Sequence, residues 1–173
     1  MSRFIFIIII FIFISCKNNN EHDEAKTPVI SYKESLLHAN KLLVKNENDE
    51  IEALIKRYNW NMQKTGSGLR YMIYKSGNGL QAKTGMIARM KYQINLINGV
   101  KCYESEKVFQ IGKGGVESGI EEAILLLKVG DKAKFIIPSH LGFGLLGDQN
   151  KIPKRATLIY DVELIQLKEN SKK

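Results

Sequence analysis

The run Gly112-Lys113-Gly114-Gly115-Val116-Glu117-Ser118-Gly119 is the first place where residue types and spacing suggest chemistry, because clustered glycines can aim backbone N–H groups at a phosphate. The G-x-G-x-x-G spacing fails at its last position, which is Glu117, and no Lys-Ser/Thr pair closes the run. A nucleotide site is therefore not expected. His22, His38 and His140 are far apart and no H-E-x-x-H occurs, which argues against a metal, and no G-x-S-x-G elbow marks a serine hydrolase. What remains is apolar. Phe143 and Ile152 lie on a long loop from Pro138 to Pro153, where large apolar side chains need burial and where such length calls for function or flexibility. The chain is expected to work with an apolar pocket, without a cofactor and without an acid–base pair.

The elements that must position such a pocket can be read from periodicity. Leu69 to Tyr74 is a candidate strand. Met86, Ala88, Met90, Tyr92, Ile94 and Leu96 alternate with Ile87, Arg89, Lys91, Gln93 and Asn95, the pattern of a strand with one buried face. Asn98-Gly99 then suggests a type I′ turn and a hairpin, and Val108 to Ile111 a further short strand. Ser118 and Glu121 stand at capping-box spacing ahead of the stripe Ile120, Ala123, Ile124, Leu127, with Gly130 as a stop. Ala133 to Ile137 and Ala156 to Leu167 complete the strands, the latter with Leu158, Tyr160, Val162 and Leu164 on one face. A short helix caught between strands implies an α+β fold in which an antiparallel sheet curls around that helix.

The chain of 173 residues is 44% hydrophobic, enough for roughly one domain of ~100 residues with attachments. Its formal charge of +8 comes without a helix-turn-helix, zinc-finger or RNA-binding signature. A solvated basic surface is expected and no nucleic-acid partner, with weak attraction to anionic lipid left open.

Residues 1–15 read as a lipoprotein signal peptide. Arg3 precedes the apolar run Phe4 to Ile14, too short for the ~20 residues a membrane span needs, and Phe13-Ile14-Ser15-Cys16 looks like a lipobox with Phe where Leu is usual. Acylation at Cys16 would hold the protein on the periplasmic side of a membrane. Cys102 is then left without an intramolecular partner and reads as a small buried hydrophobe. Residues 16–30 have no apolar periodicity and read as a flexible tether. Residues 31–60 read as two amphipathic helices, one capped by Ser31 with Glu34, the other by Asp49 with Glu52, separated by the polar patch Asn46 to Asp49. Their apolar faces pack on their own domain or support dimerisation. Residues 66–168 form the main domain and 169–173 a basic tail.

The segments GVESGIEEAILLLKVGD, PSHLGFGLLGDQNKIP and ATLIYDVELIQL, in that order, resemble the FKBP-type peptidyl-prolyl isomerases, and the resemblance runs from about Leu69 to Leu167. It implies a pocket for a prolyl ring between sheet and helix. Matched residue by residue, Tyr92 falls on the pocket tyrosine of the second strand and Phe109 on an aromatic of the wall. Val116 and Glu117 fall on the two residues before the helix, where the N–H of Glu117 would donate to the substrate carbonyl. Ile120 falls on the pocket floor, Phe143 on the flap tyrosine, Ile152 on the flap isoleucine, and Tyr160 on the aromatic of the last strand. The same residues would also serve as ordinary core. The family's usual Phe-Asp appears as Cys102-Tyr103, so the carboxylate that lines the pocket is expected to be missing; Ile120 replaces a tryptophan, and Phe143 lacks the tyrosine hydroxyl. Within the family, the lipobox, the helical extension, Tyr103-Glu104-Ser105 and the Gly144 to Asp148 flap form resemble lipoproteins associated with gliding motility. The resemblance implies a membrane-anchored isomerase acting on proline-containing exported polypeptides, or a non-catalytic chaperone or envelope-assembly module using the same cleft.

Overall fold

In the computed structural model, which describes residues 28–170, period-two alternation resolves into six strands: β1 (Gln63–Lys64), β2 (Arg70–Lys75), β3 (Ile87–Leu96), β4 (Lys101–Gln110), β5 (Lys132–Ile137) and β6 (Leu158–Lys168). They form one antiparallel sheet in the order β1-β2-β5-β6-β3-β4. Among the described residues two α-helices accompany it, α1 (Pro28–Tyr58) and α2 (Ser118–Ile124). The chain divides into two units at Asn40/Lys41; of the first, only the opening part of α1 is described, and the sheet, α2 and the rest of α1 belong to the second. The signal peptide, Cys16 and the last three residues of the basic tail lie outside the described residues, as does the tether up to residue 27.

Alternation along β5 and β6 gives the sheet two apolar faces. Phe135 pairs with Tyr160 and Ile137 with Leu158, all four at most 1% exposed, and they join Ile120, Ala123 and Ile124 of α2 in the main core. The intervening pair, Ile136 with Ile159, points the other way and meets Ile51 and Leu54 of α1, with Trp60 and Met62 alongside. Fully burying an aliphatic side chain is worth about 1.5–3 kcal/mol, so Ile51 and Leu54 are strong anchors for this part of α1. Leu42, Leu43 and Val44 stay exposed.

Several expectations about local structure are corrected. The extension is one helix, not two, described from Pro28, so Ser31 and Asp49 are interior positions and not helix starts, and the tether expected to reach residue 30 gives way by Pro28. The polar patch does not break the helix because its side chains are engaged across the fold. The Glu47 carboxylate accepts hydrogen bonds from the Ser139 N–H (2.6 Å) and hydroxyl (3.1 Å) and from the Thr157 hydroxyl (2.7 Å). Asn48 accepts from Lys64 and Arg70, and Asp49 pairs with Lys45 one turn back. Groups tied elsewhere no longer compete for the helix backbone.

The hairpin turn is also different. Gly99 alone of the Asn98-Gly99 pair has positive φ (+89°), and its N–H closes a turn on the Leu96 carbonyl, with the register slipping by one residue at Asn95. This is a three-residue loop with a glycine bulge rather than a type I′ turn. Past it, the strand expected at Val108 begins already at Lys101.

The Ser118–Glu121 capping box does not form. The Ser118 hydroxyl donates to the Leu141 carbonyl, and the Glu121 carboxylate accepts from the N–H groups of Gly112 (2.6 Å) and Gly114 (2.9 Å). The glycine run therefore does bind an anion, but the anion is the chain's own. α2 ends at Ile124, yet Leu127 continues its stripe at 0% exposure through a further turn. Cys102 is buried, as read from the sequence.

Candidate functional site

Three strands place side chains on the α2 side of the sheet in register. Met90, Tyr92 and Ile94 of β3 alternate onto that face; Tyr103 of β4 pairs with Ile94 and Lys107 with Met90; Tyr160 of β6 pairs with Ile94 from the other side. The residues leading into α2, Val116 and Glu117, and the β5–β6 loop residues Phe143 and Asp148 close the ring. Together these ten residues line an open cleft of about 300 Å³.

α2 can sit this close because Gly119 faces the loop. A Cβ there would lie 2.6 Å from the Ile137 methyl and 3.0 Å from the Leu141 carbonyl oxygen. The Glu117 carbonyl accepts from the N–H groups of Ile120 (2.9 Å) and Glu121 (3.0 Å), which fixes the peptide at the cleft edge.

Of the residues singled out from the sequence, Tyr92, Val116, Glu117, Phe143 and Tyr160 are brought together around the cleft. Phe109, Ile120 and Ile152 are not among its lining; they are 6%, 1% and 2% exposed within the main core, behind the wall. Ile120 packs in the main core at the start of α2. The Tyr92 and Tyr160 rings stand 6.1 Å apart at 34°, a tilted aromatic pair. Burial, helped by the charge and hydrogen bonding of the nearby Glu117 carboxylate, pushes the Tyr160 phenol well above its ordinary value, so it stays a neutral hydroxyl.

The expected loss of the cleft carboxylate is corrected by Asp148. It arrives from the loop and accepts a hydrogen bond from the Tyr103 hydroxyl. Burial works against ionisation of Asp148, but hydrogen bonds from Tyr103 and from the N–H groups of Ile152, Asn150 and Lys151 outweigh it and hold the carboxyl below its usual range. No local pattern could have revealed this, since the partners are 45 positions apart. The only sequence signal was Gly147-Asp148 in the loop motif.

The cleft offers aromatic and aliphatic walls, phenol hydroxyls and a fixed carboxylate, a lining suited to enclosing a small apolar ring with a few oriented polar contacts. Residues 79–165, half of the chain, match the family model "FKBP-type peptidyl-prolyl cis-trans isomerase". The chain is similar to the FKBP-type peptidyl-prolyl cis-trans isomerase FkpA of Buchnera aphidicola subsp. Acyrthosiphon pisum (strain APS), 28% identical over 84% of this chain and 64% of the relative. It is also similar to the probable FkpA of Neisseria meningitidis serogroup B (strain ATCC BAA-335 / MC58), 37% identical over 60% of this chain and 39% of the relative. The chain therefore spans less than two thirds of the length of these two relatives. Among solved structures, that of AtFKBP13 superposes with a TM-score of 0.59 at 27% identity, covering 61% of this chain and 98% of that one.

Proposed function

The chain belongs to the FKBP-type peptidyl-prolyl cis-trans isomerase family, and on that premise we propose that it catalyses rotation about X-Pro bonds in the cleft between β3, β6, α2 and the β5–β6 loop. The open, aromatic-walled cleft carries this reading. Rotation about an X-Pro bond is slowed by a barrier of about 18–20 kcal/mol because amide resonance must be broken. A planar amide is more polar than a twisted one, so moving it from water against the walls formed by Tyr92, Val116, Phe143 and Tyr160 disfavours the ground state relative to the transition state. A rate gain of ~10³ to 10⁶ requires only about 4–8 kcal/mol.

In this mechanism Tyr92, Phe143, Val116 and Tyr160 enclose the prolyl ring. The Glu117 N–H donates to the substrate carbonyl, and the Tyr160 hydroxyl supplies a second fixed donor. Phe109, Ile120 and Ile152 act from behind by holding the wall in place. No covalent step is required. The test is prolyl isomerisation of a proline tetrapeptide by the purified protein, with Tyr160→Phe as comparison. Acceleration by the wild type and a fall in the variant support the reading, and no acceleration of any proline peptide defeats it.

A second reading is favoured by one observation, that Phe143 brings no hydroxyl to the cleft: the protein binds proline-containing segments without turning them over, as a chaperone or as part of an envelope assembly, including one for gliding motility. Retained binding of unfolded chains without isomerisation would support it. For either reading we propose a periplasmic location with a lipid anchor at Cys16, supported by the short apolar run and the Ser15-Cys16 pair. Metabolic labelling with a fatty acid, lost in Cys16→Ala, tests the anchor.

A further inference from the structure

The β5–β6 loop is gripped by β4 at a place in the cleft wall itself. Asp148 Oδ1 accepts from the N–H groups of Asn150 (2.9 Å) and Ile152 (2.7 Å), while the Asp148 N–H donates to the Ile152 carbonyl (3.1 Å), so residues 148–152 form a closed turn. Asp148 Oδ2 accepts from the Tyr103 hydroxyl, and Asn150 Nδ2 donates to the same hydroxyl oxygen at 3.4 Å. Lys151 Nζ lies 5.1 Å from the centroid of the Tyr103 ring, and the Cys102 thiol lies 3.6 Å from the Lys151 carbonyl oxygen. Two consecutive β4 residues therefore hold the whole turn. Gly147 makes the approach sterically feasible, for at φ +67° a Cβ would run into the Ile152 carbonyl.

Position separates this clasp from a generic brace. Tyr103 and Asp148 both face the cleft, and Phe143, five residues earlier on the same loop, faces it too. Ile152, at the far end of the turn, is sunk in the core and cannot slide. The turn is thus pinned on one side by packing and on the other by a polar pair whose roles are unambiguous, hydroxyl as donor and carboxylate as acceptor. Only the second attachment lies where a substrate would touch the loop.

We propose that Tyr103 and Asp148 are positioning residues that set the height of the loop over the cleft and so determine how tightly a prolyl segment is held. The proposal rests on the prolyl reading of the cleft. The consequence is selective: the clasp acts on binding, through the geometry of Phe143 and the loop, and leaves the rotation step to the groups already named.

The experiment compares full-length wild type, Tyr103→Phe, Asp148→Asn and the double variant. Asp148→Asn keeps Oδ1 for the two turn N–H groups and puts an amide donor in place of the charged acceptor facing Tyr103, so the hydroxyl loses its charged partner and Tyr103→Phe is the variant that removes the contact outright. Each protein is measured for KM and kcat on a proline tetrapeptide and for amide hydrogen exchange at Asn150 and Ile152. Expected are a KM raised about fivefold in each single variant, the factor that one ordinary hydrogen bond corresponds to, kcat within about twofold, and a double variant no worse than the poorer single one. Exchange at Asn150 and Ile152 should quicken while that of β5 and β6 is unchanged. Unchanged KM, effects that multiply in the double variant, or exchange that quickens equally throughout the sheet would each overturn the proposal. If the wild type turns over no peptide, the comparison is read as the Kd of the same tetrapeptide. Weaker binding in Tyr103→Phe then keeps the clasp while the catalytic reading falls, and unchanged binding removes the clasp as well.

Discussion

The Tyr160 ring is 1% exposed yet its edge reaches the cleft, where it stands 6.1 Å from the ring of Tyr92. One side chain is thus both core and cleft wall, and two substitutions separate its duties. Tyr160→Phe removes the hydroxyl donor alone and should lower kcat/KM about tenfold, equivalent to ~1.4 kcal/mol, with a small change in Tm. Tyr160→Ala should instead cost about 3–5 kcal/mol of stability by leaving a cavity, read by urea denaturation.

Glu47 offers a test of how α1 is tied to the sheet. Its carboxylate takes three hydrogen bonds from Ser139 and Thr157, both buried. Glu47→Ala leaves those donors unsatisfied, and each orphaned buried group costs about 1–3 kcal/mol. The expected loss is about 2–4 kcal/mol, measured by the denaturation midpoint, with Glu47→Gln recovering part of it.

Gly119→Ala should be costly for its size. The added methyl would meet Ile137 at 2.6 Å and a backbone carbonyl at 3.0 Å, forcing α2 away from the loop at a cost of about 1–3 kcal/mol. Because Val116 and Glu117 lead into α2, kcat/KM should fall together with Tm.

The depressed carboxyl of Asp148 predicts an acid-side signature. Hydrogen bonds from Tyr103 and the turn N–H groups lower it in the folded state despite burial, whereas in the unfolded chain it returns to about 3.9. Folded protein then binds fewer protons, so the contribution to stability is present above about pH 4 and is lost as the pH falls through the depressed folded value. Urea midpoints of wild type and Asp148→Asn should differ at pH 6, and the gap should narrow as the pH falls below about 4. A gap that persists undiminished at pH 3 contradicts this assignment.

Elements with a strict period and one buried face were legible from the sequence. Alternation in β3 and β6 assigned Ala88, Met90, Leu158 and Tyr160 to the inner face because every second residue must share it, and all four are buried there. The resemblance carried the fold, a curled antiparallel sheet around α2, through to agreement with a solved relative. Legibility failed where a side chain found its partner far along the chain. Asn48 and Glu47 look like helix breakers until Arg70, Ser139 and Thr157 are seen to occupy them. Glu121 looks like half of a capping box until the glycine N–H groups claim it. Phe109, Ile120 and Ile152 illustrate a different limit. Apolar side chains are equally at home lining a cleft and filling the layer behind it, so residue type alone does not separate the two.

β4 ends the strand order on one side, and two-residue β1 ends it on the other. An unpaired outer strand invites any extended polypeptide to add itself as the next one, a hazard for a protein whose proposed clients arrive unfolded. β4 displays Lys101, Glu104, Glu106 and Lys107 to solvent, and β1 offers almost no length to copy. An extended chain added beside β4 would have to cover those charges, which disfavours its recruitment into the sheet.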